Sequence, residues 1–399
     1  MSLMFCFDIR SNIWKMYLVN FLRNLQFFGA VAIPFFLDWA RIDYTRMFIL
    51  EAAFVFWVFV LEIPTGFVAD KFGRKVSIIL GGLFSAICIS LFGIINNYWV
   101  FFVAEFIGAI GFTLLSGADK ALIYDSLIHI KNTDEAKVIL SRYESAGTLG
   151  ILIGFPIGSL IAGSGILPYP ETLPLTFIIS GIFLLLTFFV AFTLNEPERK
   201  EKAEEFIKEG IDGFKYIFKH KKLRLFALNF ALISATTFFM FWFYQSLAGV
   251  VGIDIKYNGF IGAGCNLFSL LLLLNIKRIV KLFGMKNTLL YSAVIPGLFF
   301  TGLFFFRNIY FAIAAMFIII GLKMMRSPVL SDFMNRHIES RNRATVLSGV
   351  SMLEKIIIMI LYPIVGLLAD YSLWITFLFL GIATIVISLI NRIKAEHIE

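Results

Sequence analysis

GFVADKFGRK, residues 66–75, sets one acid and three cations around two glycines directly after a long apolar run. In a chain that is 59% hydrophobic, with 47 phenylalanines and only 16% charged residues, charge gathers where the chain meets water. No soluble domain hides so much apolar surface, so the run before the decapeptide reads as a membrane span and the decapeptide as the turn that follows it. Outward from there, apolar stretches of about 20 residues recur, each long enough as a helix to cross roughly 30 Å of hydrocarbon. Twelve are read, at 13–37, 46–69, 76–95, 98–118, 137–163, 173–194, 224–248, 257–276, 287–306, 309–326, 345–369 and 372–391. Most are apolar all round rather than alternating with period two, which predicts helices rather than a barrel of half-polar strands.

A formal net charge of +8 would suit a nucleic-acid partner, but its placement argues for topology instead. With the amino terminus inside, Arg41, Arg46, Lys256 and Arg307 are the cations left outside, and Arg23 and Lys355 are those read within spans. The remaining Lys and Arg are read as cytoplasmic, an asymmetry that predicts both termini in the cytoplasm of a multi-pass cell (plasma) membrane protein. Cys6, Cys88 and Cys265 are scattered, so neither a disulfide framework nor a metal knuckle is expected. The first apolar stretch is too long for a signal-peptide core and is expected to remain as the first helix.

Residues 195–223, NEPERKEKAEEFIKEGIDGFKYIFKHKKL, form the longest polar segment and leave six spans on each side. Phe206, Ile207, Ile211, Phe214, Ile217 and Phe218 recur there at helical spacing among lysines and glutamates, as in a helix lying on the inner membrane surface. The expected organisation is therefore 1–194 as one six-helix bundle, 195–223 as an amphipathic linker and 224–399 as a second bundle. The halves repeat: HIKNTDEAKVIL (129–140) returns as HIESRNRATVLS (337–348) at an offset of 208, and FPIGSLIAG (155–163) is echoed by YPIVGLLAD (362–370). Gly73 in KFGRK has a weaker echo at Gly284 in LFGMK. Parallel repeats predict a pseudo-two-fold axis along the membrane normal and a substrate site near the midplane.

Glycines at 66 and 73 allow a tight reversal, and Asp70, Lys71, Arg74 and Lys75 supply charges that can pair and part at a cavity mouth. Gly66, Asp70, Gly73, Arg74 and Lys75 fill G-x-x-x-D-x-x-G-R-K, which resembles the signature loop of the major facilitator superfamily. With twelve spans, a central polar loop and internal duplication, the resemblance covers essentially the whole chain. It implies an all-α membrane fold of two pseudo-symmetric six-helix bundles. It also implies that Asp70 faces the amino-terminal end of helix eleven, near Ala344 to Leu347, when the cytoplasmic side is closed. There a carboxylate is favoured by the helix dipole, by about 0.3–1 kcal/mol. Arg74 would pair with an acid at the end of helix four, either Asp119 or Asp125. In the second half KRIVKLFGMK puts Lys281 where the acid belongs.

Span five carries Gly150, Gly154 and Gly158 at four-residue spacing, with Pro156 between them. Such a stripe lets helices approach closely, and it also resembles the glycine and proline motif of antiporter-type facilitators. The stretch departs from that motif at Phe155 and Ser159. SGADKALIYDSL (116–127) resembles the end of helix four in prokaryotic drug exporters, where a small-residue turn precedes an acidic loop. RNLQFFG (23–29) in helix one resembles the same relatives.

Ionisable groups in hydrocarbon need a partner or a purpose. Arg23, flanked by Asn24 and Gln26, lies roughly 15 Å from the inner surface, and Glu105 lies about 10 Å below the outer one. An Arg23–Glu105 pair is expected, either as a static lock or with Glu105 as a proton carrier. Glu354 and Lys355 are read as a second buried couple, pointing about 100° apart on one helix, with Glu354 the second proton candidate. Asn229, Thr236, Trp242 and Gln245, among the aromatics of helix seven, suit either a large, partly apolar ligand or a lipid-facing wall.

No nucleotide-binding loop and no catalytic or metal cluster is present, so neither an ATP-driven pump nor an enzyme is indicated, and no cofactor is expected. The reading is a monomeric secondary transporter that exchanges protons for amphipathic organic molecules by alternating access. An uptake carrier for a polar metabolite, a lipid flippase and a non-transporting sensor on the same fold are the alternatives.

Overall fold

The computed structural model describes residues 8–197, 217, 219, 221–337 and 343–390. Every regular element among them is helical. The longer ones are, in chain order, α1 (Ser11–Arg23), α2 (Tyr44–Phe72), α3 (Arg74–Ile94), α4 (Tyr98–Leu115), α5 (Ala118–His129), α6 (Ala136–Ala162) and α7 (Leu173–Phe192). Then follow α8 (Lys221–Val250), α9 (Asn258–Leu274), α10 (Ile276–Phe305), α11 (Ile309–His337), α12 (Arg343–Tyr371) and α13 (Leu373–Ile390). Among the described residues eleven helices are long and apolar enough to cross a membrane, and a pair bent by 58°, Ser11–Ala30 with Ala32–Trp39, makes twelve when counted as one span.

That bend has a local cause. α1 stops at Arg23, and the Asn24 amide turns back to donate to the Asn20 carbonyl at 2.8 Å and to its side-chain oxygen at 2.9 Å. The backbone N–H of Phe27, within the break, donates to the Leu25 carbonyl at 3.2 Å and to the Ser180 hydroxyl at 3.0 Å, which replace its regular helical acceptor. At the end of α4 the chain turns at Gly117 (φ 79°) and resumes as α5. Residues 118–129 are thus a helix, not the acidic loop expected there: the backbone kinks at one glycine and the helix continues along the same span.

By contacts the chain forms two compact units. One holds Met1–Ile42, Ala53–Glu204 and Ile255–Ala263; the other holds Asp43–Ala52, Glu205–Asp254 and Gly264–Glu399. The inner part of the first is packed by Met16, Val19, Ile78, Leu122 and Leu127, and that of the second by Ala227, Phe230, Leu289, Val329 and Leu353. Lipid is as apolar as these side chains, so close backbone approach carries much of the association. On α6, a Cβ at Gly150 would lie 2.5 Å from the Phe21 carbonyl oxygen, and one at Gly158 would lie 1.8 Å from that of Phe27. Only glycine permits that contact. Gly154 faces Gln26 in the same row, and Pro156 lies within α6 without ending it.

The surface helix expected at Phe206, Ile207, Ile211, Phe214 and Phe218 lies outside the described residues. Ile217 is described and is buried in the second unit's core.

Candidate functional site

The decapeptide forms the junction of α2 and α3. α2 ends at Phe72, Gly73 takes φ 104° and ψ 152°, and α3 starts at Arg74. The first N–H groups of a helix lack intrahelical acceptors and form its positive end. Here the Glu196 carboxylate, from just after α7, accepts from the Arg74 N–H at 2.9 Å and the Lys75 N–H at 2.6 Å. The Arg74 guanidinium pairs with Asp125 on α5, about one-fifth of each side chain being exposed. Of the two acids offered by the sequence, Asp125 is therefore the partner. Asp70 is exposed in the last turn of α2, beside Lys71, whose ammonium lies 5.4 Å from the centre of the Phe67 ring. The side chains of Ala344 and Thr345, toward which Asp70 is expected to turn, lie outside the described residues. Gly284 repeats the conformation of Gly73, with φ 75° and ψ 156°, and breaks α10 at the corresponding loop.

Asp119, the other candidate, anchors a second cluster within the first unit. It lies in the first turn of α5, is buried, and accepts from the Tyr143 hydroxyl at 2.6 Å and from the Arg23 guanidinium at 3.4 Å. The expected Arg23–Glu105 pair is therefore corrected to Arg23–Asp119. The reason is depth: Glu105 precedes Asp119 by fourteen positions on the same span, about 20 Å of helical rise. Arg23 closes the last turn of α1 and Asp119 opens α5, so each charge sits at the helix end whose dipole favours it. A cavity of about 220 Å³ opens beside the pair, lined among others by Asn20, Ser116, Lys120, Tyr143 and Glu144. Asn20 donates to the Tyr143 carbonyl at 2.7 Å, and Lys120 pairs with Glu144 at 2.6 Å on an exposed edge. Glu105 is itself buried on α4. Gln26 is half-buried at the bend.

Sequence reasoning missed Tyr143 and Asn20, although a signal was there. Tyr143, Gly147, Gly150, Gly154 and Gly158 fall at i, i+4, i+7, i+11 and i+15 on one face of α6, so the stripe that meets α1 extends back to the tyrosine.

The structure changes the list of cations held within the spans. Lys323 and Arg326, read from the sequence as cytoplasmic, lie within the candidate span of α11, Lys323 half-buried and Arg326 buried; in the first unit Lys15 on α1 is buried too, donating to the Thr193 carbonyl. Lys355, expected to be buried, is exposed, while its neighbour Glu354 is half-buried. Arg326 donates to the Leu289 carbonyl, to the Ser292 hydroxyl at 3.1 Å and to the Asn229 side-chain oxygen at 2.9 Å. Asn229, expected as a cavity-lining group, thus serves as a ligand of Arg326. Thr236 is buried against Thr384, whose hydroxyl donates to it at 2.8 Å, and Gln245 is buried as well.

Another polar group of the second unit adjoins a chain of aromatic side chains through Phe238. Glu354 accepts from the Ser234 hydroxyl, and the Lys323 ammonium stands 5.0 Å from the centre of the Phe238 ring within the field of Glu354. Phe238 meets Tyr362 edge-on at 6.1 Å, and the Trp242 indole N–H donates to the Tyr362 hydroxyl at 3.2 Å. An ammonium over an aromatic face beside a carboxylate is a surrounding that accommodates charge in an apolar wall.

A family model described as Major Facilitator Superfamily matches residues 16–352. Among curated proteins, Multidrug resistance protein 1 of Bacillus subtilis (strain 168) is 25% identical over 312 residues, covering 76% of this chain and 75% of that protein. Multidrug resistance protein 2 of the same organism is 24% identical over 210 residues, 52% of each chain. Among solved structures, the nucleoside transporter NupG superposes with a TM-score of 0.80 at 14% identity, covering 95% of this chain and 98% of that one. The D-xylose-proton symporter superposes with a TM-score of 0.73 at 14% identity, over 95% and 97%. At such identities the structures share the fold.

Proposed function

Because this chain belongs to the major facilitator superfamily, we propose that it is a secondary transporter expelling amphipathic small organic molecules in exchange for protons. It works by alternating access between halves 1–194 and 224–399, as a monomer in the cell membrane with both termini inside. The observation that carries this reading is the polar group on α8, α11 and α12: a half-buried Glu354 carboxylate that accepts from Ser234, and the Lys323 ammonium over the ring of Phe238, which packs with Tyr362 and through it Trp242. Aromatic walls with a few polar groups accept large, partly apolar ligands, and a carboxylate in that wall can take up or release a proton as its surroundings change. The relatives named for multidrug resistance support the same substrate class. Glu354 is assigned the proton, with Glu105 as a second carrier, and the Arg74–Asp125 pair is assigned to the inner gate.

The test is transport by the purified protein in liposomes. An imposed gradient, acidic inside, is expected to drive dye accumulation. Glu354→Gln is expected to reduce the dependence on the gradient at least tenfold while dye binding persists. Accumulation indifferent to the gradient in the native protein would overturn proton exchange, and accumulation of a nucleoside or sugar in place of the dye would favour the uptake reading.

A further inference from the structure

The chain contains the pentad G-x-x-A-D twice, GFVAD at 66–70 and GLLAD at 366–370. Each copy lies at the carboxyl end of a 29-residue helix, the first closing α2 and the second closing α12. By span order α2 runs inward and α12 runs outward, so the two copies stand at opposite faces of the membrane.

The outer copy is engaged. Asp370 accepts the Tyr44 N–H at 2.8 Å with one oxygen, and with the other the Thr45 N–H at 2.9 Å and the Thr45 hydroxyl. One turn back, a Cβ at Gly366 would lie 2.8 Å from the Thr45 Cα and 3.0 Å from the Tyr44 carbonyl oxygen, so no side chain fits there. The glycine brings the helix close and the aspartate caps the two leading N–H groups of α2; Asp43 caps the next, accepting from Arg46 at 2.7 Å. A carboxylate suits this place, because the leading N–H groups have no acceptor within the helix and carry its positive end. The Tyr44 hydroxyl adds a bond to Ser246 at 2.8 Å. These contacts place Asp43–Ala52 in the second unit, whereas the rest of α2 belongs to the first.

At the inner copy, a Cβ on Gly66 would meet nothing within 4 Å, and Asp70 is exposed. One five-residue device thus occurs at both faces, and its glycine is filled by a neighbour at one of them.

We propose that Asp370 is a gating residue of the outer face, a latch on the first turn of α2 that must let go for the carrier to open outward. The inference rests on the carrier reading and on no particular substrate. α2 continues into the first unit at Ala53, so that unit cannot draw the outer end of α2 away while the Asp370 bonds hold. Asp43 is local to α2 and keeps its cap in either state, which leaves Asp370 as the partner that changes.

The experiment uses the full chain in lipid nanodiscs, its cysteines replaced, with spin labels at the exposed outer positions Ile94 and Phe306. Asp370→Asn keeps one acceptor and removes the charge. It is expected to raise the fraction of the longer outer separation at least fivefold at an unchanged thermal midpoint. Asp370→Glu is expected to restore most of the native distribution, and Asp70→Asn to move it the opposite way. Thr45→Val, which removes a single donor, is expected to give a smaller shift in the same direction as Asp370→Asn and serves if that variant does not accumulate. A distance distribution unmoved by both Asp370→Asn and Thr45→Val, or a lowered midpoint with no shift in distance, would overturn the latch. No substrate or proton gradient enters the measurement, so that result would leave the efflux reading standing.

Discussion

The two units handle an arginine in opposite ways, Arg23 being half-buried and Arg326 buried. In the first, Arg23 meets a buried carboxylate, Asp119, which also receives the Tyr143 hydroxyl. In the second, Arg326 is surrounded by neutral oxygens from Leu289, Ser292 and Asn229, and among the described residues no carboxylate pairs with it and its Nε has no acceptor. Charge with charge makes a bond whose loss strands an ion, and that favours places where a change of partner has consequences. Charge with dipoles ties three helices, α8, α10 and α11, through contacts that no single proton can undo. The first arrangement suits a switch and the second a fastener.

This comparison can be broken by substitution. The largest effect is expected from Arg23→Met, which leaves the buried Asp119 carboxylate without its cation, held by the Tyr143 hydroxyl and the Lys120 N–H alone among the described residues. Removing one member of such a pair costs about 3–5 kcal/mol, and adding Asp119→Asn should recover most of it. Thermal unfolding of the detergent-solubilised protein reads both, and an Arg23→Met midpoint equal to the native one would remove the distinction. Arg326→Met is expected to cost less, about 1–3 kcal/mol, because it strands acceptors rather than an ion and returns the desolvation of the guanidinium. A larger loss than that of Arg23→Met would reverse the ranking. The smallest effect is expected from Lys120→Ala at the rim of the Arg23 cavity: its pair with Glu144 is more than half exposed, and such pairs contribute about 0–1 kcal/mol. The same unfolding measurement in high salt should leave its small difference nearly abolished.

Much of the fold is legible along the chain. Twelve apolar runs correspond to the eleven spanning helices and one bent pair, because a length of some 20 apolar residues is demanded by bilayer thickness whatever the helices touch. The reversal at Gly73 and its echo at Gly284 are legible too, since both positions need a positive φ that glycine adopts without strain. Partners are less legible. Arg23 with Glu105 is a reasonable pairing by composition, yet the turn at Gly117 carries α5 onward and brings Asp119 to Arg23 instead. Lys323 and Arg326 are counted as cytoplasmic in a hydropathy reading because they stand in the last four positions of span ten, at its inner end. A guanidinium can remain inside a helix when three carbonyl and hydroxyl oxygens from other helices replace its water, and those oxygens are invisible locally.

Composition and periodicity alone thus determined the class, the number of crossings, the duplicated halves and the loop motif. Each depends on the transfer of side chains between water and hydrocarbon or on the backbone freedom of single residues. Tertiary structure alone decided which acid Arg74 holds, that Tyr143 and Asn20 join Arg23, that Lys355 faces outward while Glu354 turns to Ser234, and that Asp370 caps a helix that begins 326 residues earlier. The physical reason is that a hydrogen bond or ion pair is selected by distances of about 3 Å between atoms far apart in the chain. Such distances are outcomes of helix packing as a whole, which no single segment encodes.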